Sequence, residues 1–322
     1  MKKILVVDDE PNNLQLIRQI LKSEYELIFA NSGKKALQAA NDHQPNLILL
    51  DIMMNDMNGY EVCEYLKTNP STSHIPVIFV TAMGDIDDEA KGFDVGGVDY
   101  IQKPISGPIM LRRVQTHLSL VRAKDLEKSQ KAAIYMLGEA GHYNDTDTGD
   151  HIWRMASYAR ELALAAGYSA EFADLIELAA PMHDTGKIGI PDKILKAPRK
   201  LSTDEWKIMK THSTIGFNIL SMSDTPVFKI AAEIAHYHHE KWDGSGYPDG
   251  LKEEEIPDSA RIVAIVDVFD ALTIKRPYKE AWSIEQAIAE LQKGRGAHFD
   301  PHLTDIFIEK HTEILSSQKK WK

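Results

Sequence analysis

The sequence predicts two domains of different class: an α/β doubly wound domain on a parallel five-stranded sheet, then an all-α bundle. Over about the first hundred residues, short runs of Val, Ile and Leu alternate with stretches of helical spacing, the rhythm of βαβ units. From about residue 145 to the end the spacing is helical throughout, with no strand-like alternation of any length. The length of 322 residues agrees, because about 100–200 residues make a domain with a core of its own.

The expected strands are Ile4–Val7, Leu27–Ala30, Leu47–Leu50, Val77–Val80 and Val98–Ile101, each followed by a polar or Gly-containing turn. Their apolar residues are continuous rather than alternating, which predicts a sheet covered on both faces. Helical spacing falls between them at 11–22, 34–41, 59–67 and 86–95. After Pro108, Leu111, Val114, Leu118 and Val121 form a short heptad seam that breaks at Asp125 and Lys128. Two readings of this segment stand: an amphipathic helix closing the first domain, or one that runs on as a connecting helix and dimer contact. The expected division is 1–122 for the first domain, 123–140 for the connecting helix and 141–322 for the second domain.

Composition narrows the function classes. The net charge is -11 and both halves are acidic, whereas nucleic-acid binders carry a basic domain or stripe. The local exception, Arg112, Arg113, Arg122, Lys124, Lys128 and Lys131, reads as a solvated helix face, so no DNA partner is expected. A single cysteine excludes an internal disulfide framework and a cysteine-built zinc site, and fits a reducing compartment. The N-terminal apolar run stops at Val7, short of the about 7–15 residues of a signal peptide or the about 20 of a spanning helix. A cytoplasmic protein without a membrane segment is the expectation.

Five residues fall at the carboxyl ends of the expected strands: Asp8, Asp9, Asp51, Thr81 and Lys103. That edge of an open α/β sheet forms the ligand crevice. Carboxylates crowded there repel one another unless a cation sits among them, and hard oxygen ligands suit Mg²⁺. These residues resemble the receiver domain of bacterial response regulators. The resemblance implies that Asp51 is the phosphoacceptor for a cognate sensor histidine kinase. It also implies that Asp8, Asp9 and the carbonyl of Met53 hold Mg²⁺, and that Thr81, Tyr100 and Lys103 form the switch. Asn55 stands where the family usually has proline, and is expected to loosen the loop without removing a ligand.

The second half carries a larger set. Asp147 and His151 lie four apart in DTGDHIWRM and would share a helix face. His183 and Asp184 are adjacent, His212 lies in MKTHSTIG, His238 and His239 open HHEKWDGSGYPDG, and Asp267 sits in an apolar helical run where a lone acid needs a partner. Five imidazoles and three carboxylates without a thiolate suit Fe or Mn, or Zn in a catalytic site, and favour more than one ion.

His183-Asp184 with Gly246-Tyr247-Pro248, in the longer stretches HDTGKIGIPD and ARIVAIVDVFDALT, resembles the HD-GYP metal-dependent phosphohydrolases over about residues 140–311. The resemblance implies an all-α HD-GYP bundle that opens cyclic di-GMP to pGpG, and in some members on to GMP. Asp184 would bridge two ions and act as a catalytic residue. His212, His238 and His239 would complete one ion. His183, Asp267 and Asp147 would complete the other, and His151 that ion or a third. Asp147 stands where trinuclear members have Glu, which favours two. The implied cofactors are two or three divalent transition ions (Fe or Mn first, then Zn, Ni or Co). Lys187 would be a second catalytic residue, stabilising the scissile phosphate, and Lys187, Arg276, Lys279 and Arg154 would bind substrate phosphates or, for Arg154, a metal-bound carboxylate. Tyr247 would stack on a guanine or touch a partner, with a homodimer and diguanylate cyclase-type proteins as candidate partners.

Trp242 and Trp153 read as packing residues, Met53, Met54 and Met57 carry no side-chain chemistry, and Cys63 reads as a small apolar residue. The expected function is a response regulator whose phosphorylation at Asp51 controls cyclic di-GMP hydrolysis. The alternatives are a phosphohydrolase of another nucleotide, such as pGpG or a hybrid cyclic dinucleotide, and a metal-containing protein-interaction module.

Overall fold

Apolar runs of four or five residues can satisfy their backbone only by pairing, and here they pair in parallel. A computed structural model of the chain describes residues 1–82, 86–142, 150–274 and 280–316, and of 86–89, 142, 150 and 151 the backbone alone. It divides into two compact units, Met1–Lys128 and Ser129–Lys322.

In the first unit the strands are β1 (Lys3–Val7), β2 (Glu26–Ala30), β3 (Leu47–Asp51), β4 (Val77–Thr81) and β5 (Asp99–Gln102), in the order β2-β1-β3-β4-β5. All four pairings are parallel. Helices α1 (Pro11–Leu21), α2 (Gly33–His43), α3 (Gly59–Thr68) and α4 (Ile86–Asp94) connect them, and α5 (Gly107–His142) follows β5. Successive strand residues face opposite ways. Leu5, Val7, Ile48, Leu50 and Phe79 therefore pack with Ala36, Val62 and Leu66 on one face. Ile4, Val6, Leu49, Ile78 and Val80 pack with Ile17, Leu21, Met110 and Val114 on the other. Each fully buried Leu or Ile contributes about 1.5–3 kcal/mol. The α5 seam is explained by this core, since Val114 and Leu118 are buried in it, and the same helix continues to His142.

The second unit is helical. Besides the end of α5, it contains α6 (Asp150–Ala165), α7 (Ala170–Ala179), α8 (Asp192–Leu195), α9 (Thr203–Leu220), α10 (Pro226–Tyr237), α11 (Asp258–Thr273), α12 (Ile284–Gly294) and α13 (Pro301–Ser316). Among its described residues no strand forms, the sole β-type pairing being the bridge Arg295–Phe299. Its core joins Met155, Ala159 and Leu162 of α6 to Ile234 and Ala235 of α10, Ile262, Val266 and Phe269 of α11, and Phe307 of α13. Capping boxes start α9 (Ser202 with Glu205) and α12 (Ser283 with Gln286), which satisfies backbone N–H groups that a helix start leaves unpaired. Among the described residues no helix is long and apolar enough to cross a membrane.

Candidate functional site

The strand order reverses between β1 and β3, and that point in a doubly wound sheet opens a crevice at the strand ends. Asp8 follows β1 and Asp51 ends β3, both buried, with Asp9 half-buried beside them. One carboxylate oxygen from each lies within 4.8 Å of the others. Lys103, just past β5, places Nζ 3.0 Å from both Asp8 Oδ2 and Asp51 Oδ2. Burial pushes the Asp51 carboxyl above its ordinary range, the Lys103 hydrogen bond opposes that, and the Asp8 charge adds to it. Burial acts to lower the Lys103 pKa, but Asp51 and Asp8 together raise it.

Thr81 is buried at the end of β4. Tyr100 points inward, stacked on Phe79 at 5.5 Å, and its hydroxyl fills the space where a Cβ on Gly92 would be, 1.8 Å away. Asn55 differs from its expected role. Its backbone N and its Nδ2 both donate to Asp9 Oδ2, at 3.2 and 2.6 Å, so the residue ties the loop to a carboxylate rather than loosening it. The Met53 N–H faces Asp51 Oδ1 at 3.4 Å.

In the second unit, His183 and Asp184 lie between the 3₁₀ turns Ala180–Met182 and Thr185–Gly189. The second turn presses on α9 through Gly186, whose missing side chain admits the His212 carbonyl; a Cβ there would lie 1.8 Å from it. That approach gathers the predicted imidazoles on one buried carboxylate. His183 Nε2 is 3.2 Å from Asp184 Oδ2, while His212 Nε2 and His238 Nε2 are 3.4 and 3.9 Å from Oδ1. Asp184, His212, His238 and His239 each bring a ligand atom within 4.8 Å of the others. Asp267 Oδ1, from α11, lies 3.8 Å from His183 Nε2, and Lys187 Nζ is 2.7 Å from Asp184 Oδ2.

The donor set fits a divalent metal. His183, His212 and His238 pair Nδ1 with the carbonyls of Ala180, Met209 and Ile234 at 2.8, 2.7 and 3.0 Å, which in the neutral rings of His212 and His238 leaves Nε2 as the lone-pair atom. His212 Nε2 and His238 Nε2 are buried without a hydrogen-bond partner, an arrangement costly for a polar atom unless a ligand takes it. Burial also lowers the pKa of His212, of His238 strongly, and of His239 to about 3, so these rings are neutral. For His183 burial acts the same way, but Asp184 and Asp267 outweigh it and raise it to about 9. Burial acts to raise the Asp184 pKa, but Lys187 and His183 hold it well below the carboxylate range.

Comparison with known proteins assigns a family to each half of the chain. The response regulator receiver domain family matches residues 4–115, and the HD domain family matches residues 120–303. A relative in Xanthomonas campestris, the cyclic di-GMP phosphodiesterase response regulator RpfG, is 37% identical over 97% of this chain and 88% of its own. The chain is an HD-domain response regulator. A cyclic di-GMP phosphodiesterase of Thermotoga maritima is 36% identical over 99% of this chain and 93% of its own. Across 60% of this chain and 37% of its own, a 3′3′-cGAMP-specific phosphodiesterase of Vibrio cholerae is 45% identical. HD domains are metal-dependent phosphohydrolases, and this response regulator is an enzyme of that class.

Not every predicted residue of the HD-domain response regulator can be placed. Asp147, Arg276 and Lys279 lie outside the described residues, as does the side chain of His151. Arg154 is engaged by a residue to which the sequence alone assigns no role. Its Nε and Nη2 donate to Asp270 Oδ1 and Oδ2 at 2.6 and 3.1 Å, three positions beyond Asp267 and fully buried. The spacing DVFD was the available signal. Trp153 stacks on Tyr135 at 4.2 Å and donates to Glu139, and Trp242 faces the Arg261 guanidinium.

Proposed function

We propose that the chain is a phosphorylation-controlled phosphodiesterase that opens cyclic di-GMP to pGpG. The observation that carries this reading is the convergence of four imidazoles on the buried Asp184, with two ring nitrogens that have no hydrogen-bond partner. The substrate named for RpfG and for the Thermotoga relative supports it.

In this reading Asp184 would be the carboxylate shared by the metal ligands, its Oδ1 facing His212 and His238 and its Oδ2 facing His183. His239 would join His212 and His238 in holding one ion, and Asp267 and Asp147 would join His183 in holding another, with His151 serving that ion or a third; Fe or Mn suits the mixed N/O donors. Bound divalent ions supply Lewis acidity, acidifying water and neutralising charge on the phosphoryl oxygens. The chain's own residues do the rest. Asp184 and the imidazoles fix the centre, and the Lys187 ammonium, 2.7 Å from Asp184, orients the scissile phosphate. Arg276 and Lys279 hold the other phosphate. As the bond from a water oxygen to phosphorus forms, the phosphorus–O3′ bond breaks in line, and the water's proton goes to the leaving 3′ oxygen. No side chain is covalently modified.

Asp51 accepts the phosphoryl group from a sensor histidine kinase, with Mg²⁺ held by Asp8, Asp9 and the Met53 carbonyl. Thr81 and Tyr100 relay that change to receiver dimerisation or docking, and diguanylate cyclase-type proteins are candidate partners of the GYP loop. A second reading, hydrolysis of the hybrid cyclic GMP–AMP dinucleotide, is favoured by the 45% identity to the cGAMP-specific relative. Metal-replete full chain supplied with each cyclic dinucleotide separates the two. The proposal expects pGpG from cyclic di-GMP, abolished by Asp184→Ala, and faster turnover than of the hybrid; the reverse preference would replace it with the second reading.

A further inference from the structure

Three of the four imidazoles around Asp184 are aimed by the backbone, through Nδ1 and a carbonyl three or four residues earlier. His239 is not: among the described residues its ring makes no hydrogen bond. What lies against it is the ring of Tyr247, stacked with centroids 4.7 Å apart and planes 29° from parallel. The Lys210 ammonium sits 4.8 Å from the centroid of the same tyrosine ring.

The loop that brings Tyr247 back is tied down close to His239. The Tyr247 N–H donates to the His239 carbonyl at 3.2 Å. Gly246 packs directly on the backbone, since a Cβ there would lie 2.4 Å from Lys241 N and 2.5 Å from Glu240 Cα. Glu240, the residue after His239, is buried, and its Oε1 accepts the N–H groups of Asp249 and Gly250 at 2.7 and 3.0 Å. One carboxylate thus closes the segment 240–250 into a ring that holds Tyr247 over His239.

We propose that Tyr247 is a positioning residue for His239, replacing the outer hydrogen bond that the other three histidines have, and that Glu240 closes the loop that holds it. This rests on the reading of Asp184, His212, His238 and His239 as metal ligands. Outer partners of metal-bound histidines are worth about 10–100-fold in metal affinity, and a stack without a hydrogen bond belongs at the low end.

The test is Co²⁺ binding to the full chain, read by chelator competition and by the visible absorption of the bound ion. Tyr247→Leu and Glu240→Ala are each expected to weaken Co²⁺ binding about tenfold with helical circular dichroism unchanged, whereas Tyr247→Phe, which keeps the ring, stays within about twofold. In a His239→Ala background, Tyr247→Leu is expected to add nothing. If Tyr247→Leu and Glu240→Ala bind Co²⁺ as wild type does, or if Tyr247→Leu costs as much without His239, the positioning role is refuted. Equal Co²⁺ binding by wild type and Asp184→Ala would instead refute the metal-site reading beneath it.

Discussion

Gly186→Ala probes the contact on which the whole metal-site geometry depends. The added Cβ would lie 1.8 Å from the His212 carbonyl oxygen and 2.5 Å from Gly216 N, and ordinary contact begins at 3.4 Å. Both obstacles are backbone atoms of α9, so no side-chain rotation relieves them, and the turn Thr185–Gly189 must separate from α9 by about 1.6 Å. The two sides of that contact carry Asp184 and His212, whose Oδ1 and Nε2 are now 3.4 Å apart. Overpacking of this kind costs about 1–3 kcal/mol, and a displacement of about 1 Å at a reacting centre lowers turnover about 10²-fold. Gly216→Ala presses on the same contact more mildly, because its Cβ would lie 3.1 Å from Ala235 Cβ and 3.3 Å from Gly186 N, and is expected to cost less in both measurements. Urea unfolding of the second unit and steady-state turnover measure the two effects. A Gly186→Ala protein with wild-type stability and turnover would refute the claim that this glycine sets the distance from Asp184 to His212.

Three further predictions concern other parts of the chain. His212, His238 and His239 are held below the ordinary histidine pKa by burial, so the stability they contribute is full above about pH 6.5 and is lost as pH falls. His183, raised to about 9, stays charged in the folded state while its unfolded form titrates near 6.5, so near pH 6.5 it offsets part of that loss and by pH 5 adds no further slope. Chelator-treated protein should therefore lose stability as pH falls from 6.5 to 5, by up to about 1.4 kcal/mol per pH unit for each of His238 and His239, and a urea midpoint that stays flat over that range contradicts this. Lys103→Ala removes the ammonium 3.0 Å from Asp8 and Asp51. It should destabilise the receiver by about 1–3 kcal/mol in chelator, with Mg²⁺ restoring more stability than in wild type; an equal response to Mg²⁺ counts against carboxylate repulsion. Burial pushes the Cys63 thiol up to about 11, so a disulfide reagent at pH 8 should modify it only on unfolding, and rapid labelling of native protein would show otherwise.

The strands were legible because continuous apolar runs have one way to be buried on both faces, and the observed edges move by a residue at most. β5 begins at Asp99 rather than Val98, whose N–H already donates to the Val77 carbonyl of β4 at 2.9 Å while its side chain stays exposed. Asp8, Asp51 and Lys103 were legible from strand-end placement alone, and the imidazoles from residue type and number. What the sequence hid is the set of contacts made by ordinary-looking residues. Asn55 read as a missing proline, yet its amide binds Asp9. Asp270, to which the sequence assigned no role, takes the Arg154 guanidinium. Gly186 and Glu240 act on backbone atoms of residues well separated from them in sequence, and no periodicity reports such approaches.

The central claim is that the centre built on Asp184 cleaves a cyclic dinucleotide by direct attack of water. Metal-replete full chain incubated with cyclic di-GMP in ¹⁸O-water, with products resolved by mass spectrometry, tests it most directly. The account predicts pGpG carrying one ¹⁸O on its terminal phosphate, and none from Asp184→Ala. Intact cyclic di-GMP with every divalent metal that the protein is shown to bind would contradict it.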